Sequence, residues 1–236
     1  MTTLNLNGPV VGNDSSWIYD FLGIDCINPG KVQEALSDAD DPVVINLSSG
    51  GGEVTAASEI YTALRQAKHD VTINITGMAA SAASIIAMAG DTVNISPTAQ
   101  FMMHQASVAN TNGNKDDLSH LADILDVTDQ SIAQAYVDRT SLDLSTIVQM
   151  MADETFLTAK QAVDYGFVDN IMFASEGQQV TNSVESGLLS TNVINKVGTL
   201  IAMQKQAKPQ AETQSNTETD SRQALRNAKA AILLED

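Results

Sequence analysis

With a single cysteine, Cys26, the chain cannot close an internal disulfide, which suits a reducing compartment. Aromatic residues amount to 4% and prolines to five among 236 residues, so a core has to be built from Ala, Val, Ile, Leu and Met. No apolar run approaches the roughly 20 residues that cross a bilayer. The opening MTTLNLNGPVVGNDSS also lacks the basic start and apolar stretch of a signal peptide. The expectation is a soluble, cytoplasmic protein with no membrane partner. Basic residues are scarce as well: 12 Lys and Arg stand against 29 Asp and Glu, a formal charge of −17. Six of the basic and 22 of the acidic residues lie before position 174. So acidic a surface repels phosphate backbones, and nucleic acid is not expected as a partner. No glycine-rich loop ends in Lys-Ser or Lys-Thr, so any use of ATP would belong to another protein.

What is present changes along the chain. At 43%, the hydrophobic content suffices for one good-sized core. After Phe173 there is no aromatic residue, and AKPQAETQSNTETDSR (207–222) is too polar to bury much surface. Between them, NVINKVGTLIAMQKQ has apolar residues near helical spacing. The reading is a compact domain over 1–175, a partly helical extension over 176–206, and a flexible polar tail over 207–236. The tail's last segment, QALRNAKAAILLED, is a candidate short helix.

Within the compact part the pattern alternates. PVVINLSS (42–49) reads as a strand that meets glycines 50–52, and EVTAASEIYTALRQAKH as a helix. DVTINITG (70–77) is a second strand and AASAASIIAMAG a second helix; TVNISP (92–97) and AQFMMHQA (99–106) are further strands. This order predicts crossover units and a largely parallel sheet. A long helix follows from about Lys115 to Thr140, with Leu118, Leu121, Leu125, Thr128, Ile132, Ala135 and Arg139 as its inner stripe. In TAKQAVDYGF, Thr158 and Gln161 form a capping box, and Gly166 is a C-terminal stop.

Reactive groups in α/β sheets gather at the carboxyl ends of strands. Ser81 falls there, in the first turn of a helix, where unpaired N–H groups and the helix dipole favour a developing oxyanion. Small neighbours leave room for a peptide backbone. Ser81 is either a nucleophile or a cap; Ser84, one turn deeper, reads as a packed hydroxyl. A serine nucleophile needs a base. His69 and His120 fall in polar surroundings. His104 lies in an apolar strand, where its nitrogens must be satisfied. It is either that base or a core histidine bonded to backbone.

Four motifs occur together: Gly51-Gly52 after INLSS, then GMAAS, MMHQA and ETFLTAKQAVDYGFVD. In this order the chain, over residues 43–171, resembles the proteolytic subunit of Clp protease. SSGGGEV at the glycine turn is most similar to the phage and prophage branch, whose members act in head maturation. The resemblance implies a ClpP/crotonase-like α/β fold: repeated β-β-α units, a largely parallel sheet and a following handle-type helical segment. It implies serine endopeptidase activity with Ser81 as nucleophile and His104 as base. The backbone amides of Gly52 and Ala82 would form the oxyanion hole, and Gly50 and Gly51 the turn beside the substrate strand. No metal or organic cofactor is implied. The family's acid aligns with Glu154 when Phe156-Leu157-Thr158-Ala159 is the anchor, whereas the His-to-acid spacing favours Asp153.

The same resemblance implies a polypeptide substrate and a homo-oligomeric ring, a heptamer or a double ring. A Clp-type ATPase or phage capsid and scaffold proteins would be the partners. Asp153 stands where relatives often carry an arginine used between stacked rings, which weakens the double-ring expectation. Two readings from other classes remain open. One is a catalytically impaired structural or scaffold-interacting subunit, suggested by the altered acid. The other is crotonase-type acyl-CoA chemistry, which would leave His104 without a role.

Overall fold

The computed structural model describes residues 2–174. The expected extension and tail, 176–206 and 207–236, lie outside the described residues. Parallel strands β1 (Thr2–Asn7), β2 (Val43–Ser49), β3 (Val71–Ala80), β4 (Thr92–Ile95) and β7 (Asn170–Ile171) lie side by side in that order. Strand β5 (Gln100–Met103) also pairs with β3, in parallel, and β6 (Thr155–Thr158) runs antiparallel to β5. The helices are α1 (Ser16–Leu22), α2 (Pro29–Ser37), α3 (Val54–Arg65), α4 (Ala82–Ala87), α5 (Lys115–Arg139), α6 (Leu144–Ala152) and α7 (Ala159–Asp164). The α/β class and the largely parallel sheet are as the sequence predicts.

Alternation along the strands sets the layers. Val43, Ile45 and Leu47 of β2, Ile73 and Ile75 of β3, and Val93 and Ile95 of β4 join one core with Val32, Ala57 and Ile60 of the helices. The intervening residues turn the other way and, Val44 apart, are polar. Asn5, Asn46, Asn74, Asn94 and Asn170 stand in register across all five parallel strands. Their amides form a ladder: Asn46 Nδ2 donates to Asn5 Oδ1 (3.0 Å), Asn74 to Asn46 (3.2 Å), Asn94 to Asn74 (3.0 Å) and Asn170 to Asn94 (3.1 Å). Parallel sheets are commonly buried on both faces and read as continuous apolar runs. Here the asparagine-bearing face is half-buried at its centre and exposed at its edges, which explains the alternation.

Several elements depart from expectation. Strand β1 and helices α1 and α2 were not anticipated. Helix α2 opens on Asn28, whose side chain accepts from the Lys31 amide, with Pro29 in the first turn. The inner stripe of α5 is rotated from the predicted one. Its buried residues are Asp129, Ile132, Ala133 and Tyr136, whereas none of residues 115–128 is buried. Leu118 is exposed because the first half of the helix meets no core among the described residues; the second half packs Tyr136 against Phe101 and Phe167. The expected capping box of Thr158 and Gln161 is present at α7.

Candidate active site

The site is made by the splitting of β3. Its first half, Thr72–Ile75, pairs with β4, whereas Met78–Ala80 pair with Gln100–Met102 of β5. Ser81 follows directly, and its N–H donates to Met102 O at 3.0 Å. His104 follows β5 in the same way. The two side chains thus leave neighbouring strands at the same level, and His104 Nε2 lies 2.7 Å from Ser81 Oγ. Ser81 and His104 are both half-buried.

Ser81 has φ 54 and ψ −125, a conformation that costs a non-glycine residue about 1–3 kcal/mol. A short chain of bonds holds it there. Ser84 is fully buried, and its Oγ donates to the Ser81 carbonyl at 2.6 Å. A hydroxyl has one hydrogen, so the 2.8 Å contact between Ser84 Oγ and the Tyr136 hydroxyl requires Tyr136 to donate. Burial pushes the Tyr136 phenol up to about 12, which keeps that hydrogen in place.

The glycine turn comes close to this strand-to-helix corner. A Cβ on Gly51, at φ +98, would meet Ser81 Cβ and Ala80 O at 2.7 Å. Gly52, at φ +153, lies so near Val10 that a Cβ would fall 2.0 Å from its carbonyl oxygen. Only glycine fits either position. The backbone N–H groups of Gly52 and Ala82 donate to no group among the described residues. Both residues line a cleft of about 70 Å³ together with Ser81 and His104. Gly50 is exposed at the start of the turn. A larger groove of about 750 Å³ between α2 and α3 is lined by residues such as Gln33, Ser58 and Thr62 and contains no histidine. The serine–histidine contact, not the larger volume, marks the candidate site.

The two candidate acids are placed differently. Strand β6 pairs with β5 as far as Thr155 and Met103, so Glu154 and His104 are each the next residue beyond the last pair. Glu154 adopts φ 47, which ends the strand. Asp153 caps α6, and its carboxylate accepts from Gln149 Nε2 at 3.0 Å. Both acids are exposed, and among the described residues neither hydrogen-bonds to His104. Two supporting residues escaped sequence reasoning, Asp129 and Tyr136. Their spacing with Ile132 and Ala133 (i, i+3, i+4, i+7) was the available signal.

Comparison with known proteins follows the same outline. The Clp protease family model matches residues 33–175. The ATP-dependent Clp protease proteolytic subunit of Ligilactobacillus salivarius is 33% identical over 137 residues, covering 57% of this chain and 69% of that protein. Proteolytic subunit 2 of Corynebacterium glutamicum is 29% identical over 187 residues, covering 72% of this chain and 91% of its own. Among solved structures, a ClpP1 mutant from Listeria monocytogenes matches with a TM-score of 0.60 at 21% identity. That match covers 74% of this chain and 93% of the other, and it speaks for the fold. Among the described residues no helix is long and apolar enough to cross a membrane.

Proposed function

Because the chain belongs to the Clp protease family, we propose that it is a serine endopeptidase that cleaves polypeptides through an acyl-enzyme. The observation that carries this reading is the 2.7 Å contact between His104 Nε2 and the Oγ of a conformationally strained Ser81. Ser81 Oγ attacks the peptide carbonyl carbon while His104 Nε2 takes its proton. The oxyanion receives the unengaged N–H groups of Gly52 and Ala82. Collapse breaks the C–N bond, and His104 returns the proton to the leaving amine. Water, activated by the same imidazole, then releases the acyl group and restores Ser81. Glu154 is the acid in this reading, supported by its place next to the last β5–β6 pair, as His104 is, whereas the Asp153 carboxylate already accepts from the Gln149 amide.

The biological setting follows from the resemblance and from the surface. The glycine-turn sequence supports a phage-type protease acting in head maturation or scaffold processing. The relatives' names are ATP-dependent, and docking of a Clp-type ATPase is the corresponding alternative setting. A homo-oligomeric ring is supported by two uncovered apolar surfaces: Trp17, Phe21 and Leu22 of α1, and Leu118, Ile124 and Val127 of α5.

A fluorophosphonate probe tests the chemistry. It should label Ser81, Ser81→Ala should abolish labelling, and Ser84→Ala should leave it on Ser81. Glu154→Gln should lower peptide hydrolysis by about 10²-fold or more, and Asp153→Asn by much less. Equal small losses would remove both carboxylates from the triad. A wild-type chain that ignores the probe and behaves like Ser81→Ala would instead favour the structural-subunit reading.

A further inference from the structure

Asp129 is the one charged side chain buried among the described residues, at 7% exposure. A buried carboxylate is costly unless it is paired or hydrogen-bonded. Among the described residues no ion pair answers it. Its Oδ1 accepts instead from the backbone N–H of Ala106 at 2.7 Å. Ala106 lies two residues beyond His104, where β5 has ended and the chain runs without regular structure as far as Asn114. Among the described residues this is the one hydrogen bond made by the backbone of residues 105–113.

The location matters for the site. His104, Gln105, Ala106 and Ser107 form one wall of the cleft that contains Ser81. Asp129 belongs to the stripe of α5 that also supplies Ile132 to that cleft and Tyr136 to Ser84. A short, charged acceptor on a packed helix gives a strong, well-directed bond to a single amide. A histidine on a strand end with no further anchor would swing away from a serine only 2.7 Å distant.

We propose that Asp129 is a positioning residue for His104, fixing the chain just beyond the histidine so that its imidazole stays on Ser81. The assignment rests on the serine-peptidase reading. It is tested on the full chain by the second-order rate of fluorophosphonate labelling, and by kcat and KM for a peptide substrate, at a temperature where melting curves show each variant folded. Asp129→Ala should slow labelling and kcat by about 10- to 100-fold with KM little changed, because a displaced base costs rate rather than binding. Asp129→Asn keeps an oxygen for the Ala106 amide and should stay within about fivefold of wild type.

Wild-type rates in folded Asp129→Ala would reduce the contact to fold maintenance and overturn the proposal. So would an Asp129→Asn variant as slow as the alanine, since charge rather than the hydrogen bond would then be at work. Should Asp129→Ala not fold, Asp129→Glu is read in its place. Its carboxylate, one methylene longer, displaces Ala106 and should slow labelling at least about fivefold; an unchanged rate overturns the assignment. A wild-type chain that takes no probe on Ser81 would overturn the peptidase reading and this assignment with it. Labelled wild type with an indifferent residue 129 would overturn the assignment alone.

Discussion

Tyr136 shows how a buried residue can brace a site residue through an intermediary. Its hydroxyl must donate to Ser84 because Ser84 spends its own hydrogen on the Ser81 carbonyl. The phenol titrates at about 12 in the folded chain against 10.0 for an unperturbed tyrosine. The raised value means that the unfolded chain loses this proton first as pH rises. The associated stability is complete below pH 10 and disappears between about 10 and 12. Tyr136→Phe should therefore flatten the alkaline fall in stability, at a cost of about 1–2 kcal/mol at pH 8 from the lost bond to Ser84. Urea unfolding at pH 8 and pH 11 measures both effects. Ser81 and His104 were legible because each is a polar residue within an apolar run. Asp129 was not: it is one of 22 acidic residues before position 174, and its burial depends on which side of α5 meets the core.

Among the elements, the asparagine ladder combines poor local propensity with good tertiary use. Asparagine is a weak strand former, yet neighbouring strands about 4.8 Å apart allow each amide to bridge to the next. Asn74 gives one bond to Asn46 and receives one from Asn94. Asn5, at the edge, only receives. Asn74→Ala should cost about 1–2 kcal/mol in urea unfolding and Asn5→Ala about half of that; equal costs would show that the ladder carries no energy of its own. Strands β2 to β5 could be read from alternation, and α7 from its capping box. Strand β1 could not, because TTLNLN is short and its meaning depends on a partner some forty residues away. Helix α2 carried the Asn28-Pro29 start, and that signal was missed. The face of α5 went wrong because its first half meets no core among the described residues, so its apolar residues do not report an inside.

At the scale of the whole molecule, the chain is acidic and yet leaves apolar groups uncovered. Val127 of α5 is 64% exposed and Phe21 of α1 is 82% exposed. A net charge of −17 opposes association over distance, so contact between copies would need apolar patches that work at close range. If the ring reading is right, Ile124→Asp with Val127→Asp should dissociate the assembly without lowering the melting temperature of the subunit. Light scattering coupled to size-exclusion chromatography would show the change. A wild type that is monomeric at all concentrations would end the ring reading.

The division of β3 between two partners also has a mechanical meaning. Ser81 and His104 are set one strand spacing apart by the Ser81–Met102 bond and the three residue pairs before it, so no long loop lies in their path. That pairing fixes the level of the two backbones and leaves the chain beyond His104 to be held by Asp129. Glu154, by contrast, hangs at the end of β6, which pairs with β5 alone. In the proposed triad the serine–histidine pair is thus built on a parallel pairing inside the sheet, and the carboxylate on its antiparallel margin.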